Sequence, residues 1–343
     1  MSDERYMRRA LELARLGSGY TSPNPMVGCV VVHEGRIIGE GWHKAYGGPH
    51  AEVNAIAAVE DKSLLPRSRV YVTLEPCSHF GKTPPCADLL ISSGVKDVVI
   101  CNTDPNPLVA GRGIKKILDA GAQVKVGVLE HEGLEVNKRF FTFHSQKRPY
   151  IFLKWAETTD GYIAAANYQQ EQISGKLAQR LVHKWRAEEQ AIMVGSRTAL
   201  YDNPRLNTRL WHGRNPLRVV IDKKLLLPTH LHLFDRSEPT VVYNYSKQEE
   251  QENLYFVKLR EDELMLPQIM QDLYQRNVLS LMVEGGTFLL ESLLQANLWD
   301  EALVFRSKHK ALGSGVKAPG MAYGQLREVQ PVGSDQLFHY RNS

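Results

Sequence analysis

Three short runs carry residues able to bind a metal and move protons: His50-Ala51-Glu52, Pro76-Cys77 and Pro84-Pro85-Cys86. One imidazole and two thiolates form a zinc set that leaves the fourth position to water, which is how catalytic zinc is held. Zinc lowers the pKa of its bound water from about 15.7 to about 7. Attack on an amidine-like carbon then needs a group that carries protons from the water to the leaving amine. Glu52, two residues from a ligand, is the candidate carrier. Cys86 opens a predicted helix, whose positive end favours the deprotonated thiol. The bland alternative is two buried cysteines and a capping histidine. Cys29 and Cys101 lie in apolar strand contexts and read as small buried hydrophobes.

The combination of His-x-Glu with Pro-Cys and a second Cys is the pattern of zinc deaminases. In those proteins the two cysteines usually stand two residues apart, whereas here SHFGKTPP separates Cys77 from Cys86. That insertion brings His79 and Lys82, which could face an anionic substrate. The second half has no G-x-G-x-x-G after a strand, so dinucleotide binding cannot be argued from that fingerprint. Val283-Glu284-Gly285-Gly286-Thr287 sits between a predicted strand and helix, where small residues let a phosphate approach backbone N–H groups. The stretch from Val194 to Thr198 and on through Asp202 to Arg209 carries Asp and Arg side chains in a loop-like context. A plain turn and a solvated charged loop are the competing readings.

The elements that must position these groups alternate. Tyr6, Met7, Ala10, Leu11 and Ala14 recur at helical spacing until Gly17 stops the run. Two strand-like runs flank Glu34-Gly35, a hairpin signal. Helices are predicted over 50–60, 87–93 and 113–120, with strands over 69–74, 97–101 and 124–128. The polar, basic run NKRFFTFHSQKRP (137–149) reads as a linker, dividing the chain into 1–146 and 147–343. Beyond it come a strand from Tyr150, a helix over 175–188, and strands near 190–195, 217–222, 240–244, 280–284 and 301–305. Helices near 267–276 and 287–297 separate the later strands. The predicted class is α/β with two domains, the first built on a mostly parallel sheet covered on both faces and the second a further α/β domain.

Composition agrees. Two domains suit 343 residues. An apolar share of 43% with 23% charged residues excludes a disordered chain. The 42 basic and 38 acidic residues give a net charge of only +4, too little to argue for nucleic acid. No run approaches the ~18 apolar residues of a membrane span, and the start lacks a secretory signal. A cytoplasmic location with no membrane or nucleic-acid partner is expected.

PNPMVG (23–28), GWH (41–43), PHAE (49–52), TLEPCSHFGKTPPC (73–86) and DPNPLVAGRG (104–113) resemble the bifunctional riboflavin-biosynthesis deaminase-reductases. So do LKWAETTDG (153–161), MVGSRTALYDNPRLNTR (193–209), LRVVID (217–222) and VEGGTFLLESLL (283–294). The resemblance implies a cytidine-deaminase-like three-layer α/β domain followed by a dihydrofolate-reductase-like α/β domain. It implies zinc on His50, Cys77 and Cys86, Glu52 as proton shuttle, and Asn24, His43, His79 and Lys82 around the substrate. The first domain would remove the 2-amino group of 2,5-diamino-6-(5-phosphoribosylamino)pyrimidin-4-one. The second would use NADPH to reduce the opened ribose to a ribityl chain. There it implies Lys154 and Asp202 as catalytic groups. It puts the cofactor on Ala156, Gln172, Thr198, Asp202, Lys223 and the segment Gly286, Thr287, Phe288, Leu289, Leu290, Glu291 and Ser292. Substrate positions are Gln170, Arg186, Leu206, Arg209 and Glu284. Arg186 and Arg209 suit a phosphate because guanidinium binds it bidentately. A homo-oligomer, dimer or tetramer, is expected.

The family usually has Trp where Gln172 stands and Thr where Asn207 stands, and the stretch from Phe305 to Pro319 matches only loosely. One rival is a nucleoside or RNA zinc deaminase with an appended binding domain. It would call for a basic stripe with interleaved aromatics. The nearest match is KRFFTFHSQKR (138–148), which reads as linker. The other rival is a zinc-stabilised binding module, which would need a fourth protein ligand.

Overall fold

The first helix, α1 (Asp3–Arg15), turns Tyr6, Met7, Ala10, Leu11 and Ala14 onto one buried stripe, with Asp3 and Glu4 at its positive end. It belongs to the first of two compact units, Met1–Lys147 and Arg148–Ser343, in the computed structural model of the chain. Residues 2–78, 84–107, 109–168, 171–322 and 324–342 are described; the expected substrate residues His79, Lys82 and Gln170 lie outside them. Among the described residues no helix is long and apolar enough to cross a membrane.

The remaining elements of the first unit are β1 (Gly28–His33), β2 (Arg36–Trp42), α2 (Ala51–Ala58), β3 (Arg69–Leu74), α3 (Cys86–Ser92), β4 (Asp97–Asn102), α4 (Arg112–Asp119), β5 (Gln123–Val126), α5 (Glu130–Val136) and α6 (Lys138–Gln146). Glu34 and Gly35 both take positive φ (46° and 76°), as the tight hairpin between β1 and β2 requires. The sheet runs β2-β1-β3-β4-β5, with β3, β4 and β5 parallel and β1 antiparallel to its neighbours. Ala51, Ala55, Ala87, Leu90 and Ile117 pack on one face, with Cys29 among them. The stripe of α1 packs on the other with Val136 and Cys101. At Gly41 an added Cβ would stand 2.3 Å from Ala55 N, so only glycine lets α2 lie this close to β2. That approach sets where His50 and Glu52 stand.

The segment expected to be a linker is helical. Phe140 and Phe143, three apart, turn inward from α6 and are buried, while Lys138, Arg139 and His144 are half-buried. The polar count of this stretch hid the spacing of its two apolar residues.

The second unit comprises β6 (Tyr150–Glu157), β7 (Tyr162–Ala165), α7 (Lys176–Glu188), β8 (Ala191–Gly195), α8 (Ser196–Asp202), β9 (Leu217–Ile221), β10 (Thr240–Asn244), β11 (Glu249–Gln251), β12 (Leu254–Lys258), α9 (Met265–Gln275), β13 (Ser280–Val283), α10 (Thr287–Gln295), β14 (Glu301–Ser307), β15 (Gly315–Lys317), β16 (Gly324–Val332) and β17 (Asp335–Asn342). Its large sheet runs β11-β12-β10-β9-β8-β13-β6-β14-β17-β16. The strands from β12 to β14 are parallel, and antiparallel strands close each edge. Leu266, Ile269, Leu290 and Leu293 of α9 and α10 cover one face. Ala178, Val182 and Ala199 of α7 and α8 cover the other. Both ends of this unit converge on Asp300. Its carboxylate takes the Arg148 fork at 2.6 and 2.9 Å and the Ile151 N–H at 2.7 Å. Its carbonyl accepts from the Asn342 N–H at 3.0 Å.

Candidate functional site

In the first unit the chemistry gathers where β3 ends and where α2 and α3 begin. His50 immediately precedes α2 in extended backbone, Cys77 follows β3, and Cys86 is the first residue of α3. Cys77 Sγ and Cys86 Sγ lie 3.6 and 3.3 Å from His50 Nδ1, and the three donor atoms fall within 4.8 Å of one another. Tetrahedral zinc with nitrogen at about 2.0 Å and sulfur at about 2.3 Å needs N···S separations near 3.5 Å. The donor set fits that ion.

Glu52, in the first turn of α2, is buried beside these groups. Burial raises its pKa to about 7, and the charge of Cys77 adds to the effect. Hydrogen bonding from Cys86, assisted by His50, lowers Cys77 to about 4, whereas Cys86 is raised by its bond to Cys77 and by burial. The pair by itself therefore favours one thiolate. A dication would supply the charge that ionises the second.

Asn24 and His43 stand together. Asn24 Nδ2 is 3.2 Å from His43 Nε2, and His43 Nδ1 is 3.0 Å from the Pro49 carbonyl. A carbonyl only accepts, so Nδ1 carries the proton and Nε2 accepts from the asparagine amide. The His43 ring meets the His50 ring edge-on at 5.4 Å.

Two residues that sequence reasoning missed hold this site. The Asn137 side chain bonds both the N–H and the carbonyl of Met26, at 2.9 and 2.8 Å, fixing the segment that carries Asn24. Glu75 is buried and accepts four backbone N–H groups, from Asp104, Gly111, Gly113 and Ile114. Its position two residues before Cys77 in LEPC was the available signal.

In the second unit the candidates meet at the carboxyl ends of the parallel strands, the usual ligand edge of such sheets. Glu284, one residue past β13, accepts the Arg186 fork at 2.8 and 2.9 Å. Lys154 Nζ of β6 is 3.8 Å from the same carboxylate. Burial opposes the charge on Glu284, but Arg186 and Lys154 outweigh it and hold the carboxyl at about 2. Burial lowers Lys154, against the pull of Glu284. Arg186 was expected to grip phosphate. Its fork is committed to Glu284, and its remaining Nη1 donates to the Asn207 carbonyl at 3.3 Å. Arg209 is exposed. Partial burial, then repulsion from Arg186 and Arg205, lowers its pKa. Leu206 is a core residue, 2% exposed. Its side chain packs in the cluster with Ala178, Val182 and Ala199.

The expected cofactor positions divide. Gly286 precedes α10, and a Cβ there would come 3.5 Å from Thr198 Oγ1, so the starts of α8 and α10 meet at a glycine-lined edge. Exposed helix-start N–H groups beside a residue without a side chain fit a pyrophosphate. Thr287 Oγ1 bonds the Lys317 carbonyl, and Phe288 is exposed. Leu289 and Leu290 are core residues, leaving their backbone alone to meet a ligand. Glu291 and Ser292 are half-buried, and Ser292 Oγ bonds the Phe288 carbonyl at 2.7 Å. Ala156 is half-buried; Asp202 is exposed at the end of α8, and Lys223 is exposed just past β9. Gln172 is exposed in the segment before α7, bonding the Ser174 carbonyl at 3.2 Å.

Two family models match the chain. The cytidine and deoxycytidylate deaminase zinc-binding region covers residues 1–102, and the RibD C-terminal domain covers residues 149–327. The riboflavin biosynthesis protein RibD of Aquifex aeolicus is 38% identical over 99% of this chain and 98% of its own length. The chain belongs to the RibD family. The RibD of Escherichia coli is 36% identical over 99% of each chain. Among solved structures, the deaminase/reductase of Thermotoga maritima superposes with a TM-score of 0.89 at 38% identity, over 99% of this chain and 98% of that one. Acinetobacter baumannii RibD gives 0.90 at 33% identity, over 99% of each. The chain is a bifunctional RibD deaminase and reductase of riboflavin biosynthesis, with zinc and NADPH as cofactors and a small phosphorylated pyrimidine as substrate.

Proposed function

We propose that the first unit deaminates 2,5-diamino-6-(5-phosphoribosylamino)pyrimidin-4-one and that the second reduces the ribosyl chain of the product. The observation that carries the first half is the His50–Cys77–Cys86 donor set with the buried Glu52 beside it. His50, Cys77 and Cys86 would hold a zinc ion, which when bound would supply an activated water. Glu52, poised near neutrality, takes a proton from that water and delivers it to the departing amine. With its Nδ2 held by His43, Asn24 offers Oδ1 to a donor on the pyrimidine ring.

In the second unit Lys154 and Arg186 flank Glu284, and Arg209 feels the charges of Arg186, Arg205 and Glu284. The excess of cations suits a phosphate ester. With Arg186 committed to Glu284, Arg209 and Arg205 are the phosphate holders in this reading. Lys154 gives a proton to the sugar oxygen, made a better acid by burial. NADPH supplies the hydride. The start of α10 at Gly286, Thr198 and Lys223 are the groups we assign to its phosphates, with Asp202 bordering the same edge. Free cysteines throughout the described residues support a reducing, cytoplasmic setting. The exposed edge strand β16 supports a homo-oligomer, dimer or tetramer.

The separation of the two chemistries tests this reading. Glu52→Gln should lose deamination by about 10²–10⁴-fold with zinc retained, yet still reduce deaminated intermediate supplied directly. Lys154→Ala should accumulate that intermediate from the diamino substrate. Loss of reduction in folded Glu52→Gln would overturn the assignment.

A further inference from the structure

The loop after α8 carries Arg205 and Arg209, and α7 ties it down at two points one helical turn apart. His183 Nδ1 accepts the backbone N–H of Arg209 at 3.2 Å, and Arg186 Nη1 donates to the Asn207 carbonyl at 3.3 Å. Just before these ties Leu206 holds a positive φ of 52°, a conformation a leucine keeps only where its surroundings fix it. The Arg209 guanidinium in turn donates to Asn207 Oδ1 at 3.2 Å. Backbone and side chain of Arg209 are thus set by the same short stretch.

His183 is 4% exposed, and an imidazole accepts at Nδ1 only while that nitrogen is unprotonated. Burial, Arg186 and Arg209 all oppose its protonation, with Glu284 and a hydrogen bond to the Asn207 backbone pulling the other way. An imidazolium there would donate where it must accept and would repel two neighbouring arginines. We propose that His183 is a positioning residue of the reductase: its neutral Nδ1 anchors the Arg209 backbone, and so fixes the direction in which the Arg209 guanidinium meets the substrate phosphate. His183 acts here through the Arg209 backbone, so the role is one of binding geometry. The inference rests on Arg209 being a phosphate holder.

The test compares three variants in steady-state reduction of the deaminated intermediate. Losing one hydrogen bond between neutral groups is worth up to about tenfold. His183→Phe, which keeps a ring but has no acceptor, should raise KM about that much with kcat little changed. His183→Asn, whose Oδ1 lies where Nδ1 was, should restore KM to within a few-fold of the parent. Arg209→Ala should raise KM by at least as much as His183→Phe. Should Arg209→Ala leave KM unchanged, the reading of Arg209 fails and the inference falls with it. Should Arg209→Ala raise KM while folded His183→Phe does not, the inference alone is wrong. If His183→Phe does not fold, hydrogen exchange on the unaltered protein decides: a slowly exchanging Arg209 amide that speeds up in His183→Asn by no more than a few-fold supports the anchor, and a freely exchanging one overturns it.

Discussion

Glu284 shows what a sequence hides at the scale of one residue. The types of the active groups were legible: a metal needs His and Cys, so His50, Cys77 and Cys86 could be picked by chemistry alone. Partners were not. Arg186 suggested a phosphate grip, but a guanidinium reads the same beside a carboxylate, and here it forks onto Glu284. His183 gave no motif at all. Its environment nevertheless has a measurable consequence. An unfolded histidine titrates near 6.5, whereas burial, Arg186 and Arg209 lower His183 to about 4. Below pH 6.5 the unfolded chain takes up a proton that the folded chain refuses until about pH 4. The stability tied to this group is therefore present above 6.5 and is lost as the pH falls toward 4. Urea unfolding across that window should show a slope reduced by up to one proton in His183→Asn. An unchanged slope would mean that His183 protonates as readily folded as unfolded.

At the scale of elements, strongly patterned segments were readable and weakly patterned ones were not. The stripe of α1 and the Glu34-Gly35 hairpin carry their geometry in their spacing. The β16–β17 hairpin does not, because an exposed edge strand such as β16 need not alternate apolar and polar residues. Its available signal was Gly333-Ser334, a two-residue turn with Gly333 at φ 61°. The α6 segment was obscured by charge, and the residue just before it has the largest consequence for the site. Asn137 closes two hydrogen bonds on Met26, so Asn137→Ala strands a partly buried donor and acceptor, at the lower end of about 1–3 kcal/mol each. We expect a lower unfolding temperature for this variant and a raised KM for deamination, because Asn24 stands two residues from Met26. A raised unfolding temperature, or an unaltered KM, would show that the Asn24 segment holds its shape without this clamp.

At the scale of the whole molecule, each unit has its own sheet with a core on both faces. Neither chemistry borrows its supporting core from the other. Removing zinc with a chelator should therefore abolish deamination, leave reduction of supplied intermediate intact, and be reversed by added zinc. Loss of both activities on chelation would contradict that division. The two-domain plan and the sheet-and-helix alternation were visible in the sequence because buried parallel strands read as apolar runs between helices. Strand order was not, since nothing local tells β13 to insert between β8 and β6. One further consequence lies in Asp300. Arg148 and Asn342, at opposite ends of the second unit's chain, both dock on this residue. The path of the polypeptide there is nearly a closed circuit, so its linear order is a historical choice rather than a physical need. A short splice from 342 to 148 and a new opening at the exposed Gly333-Ser334 turn would leave every strand beside its present neighbours.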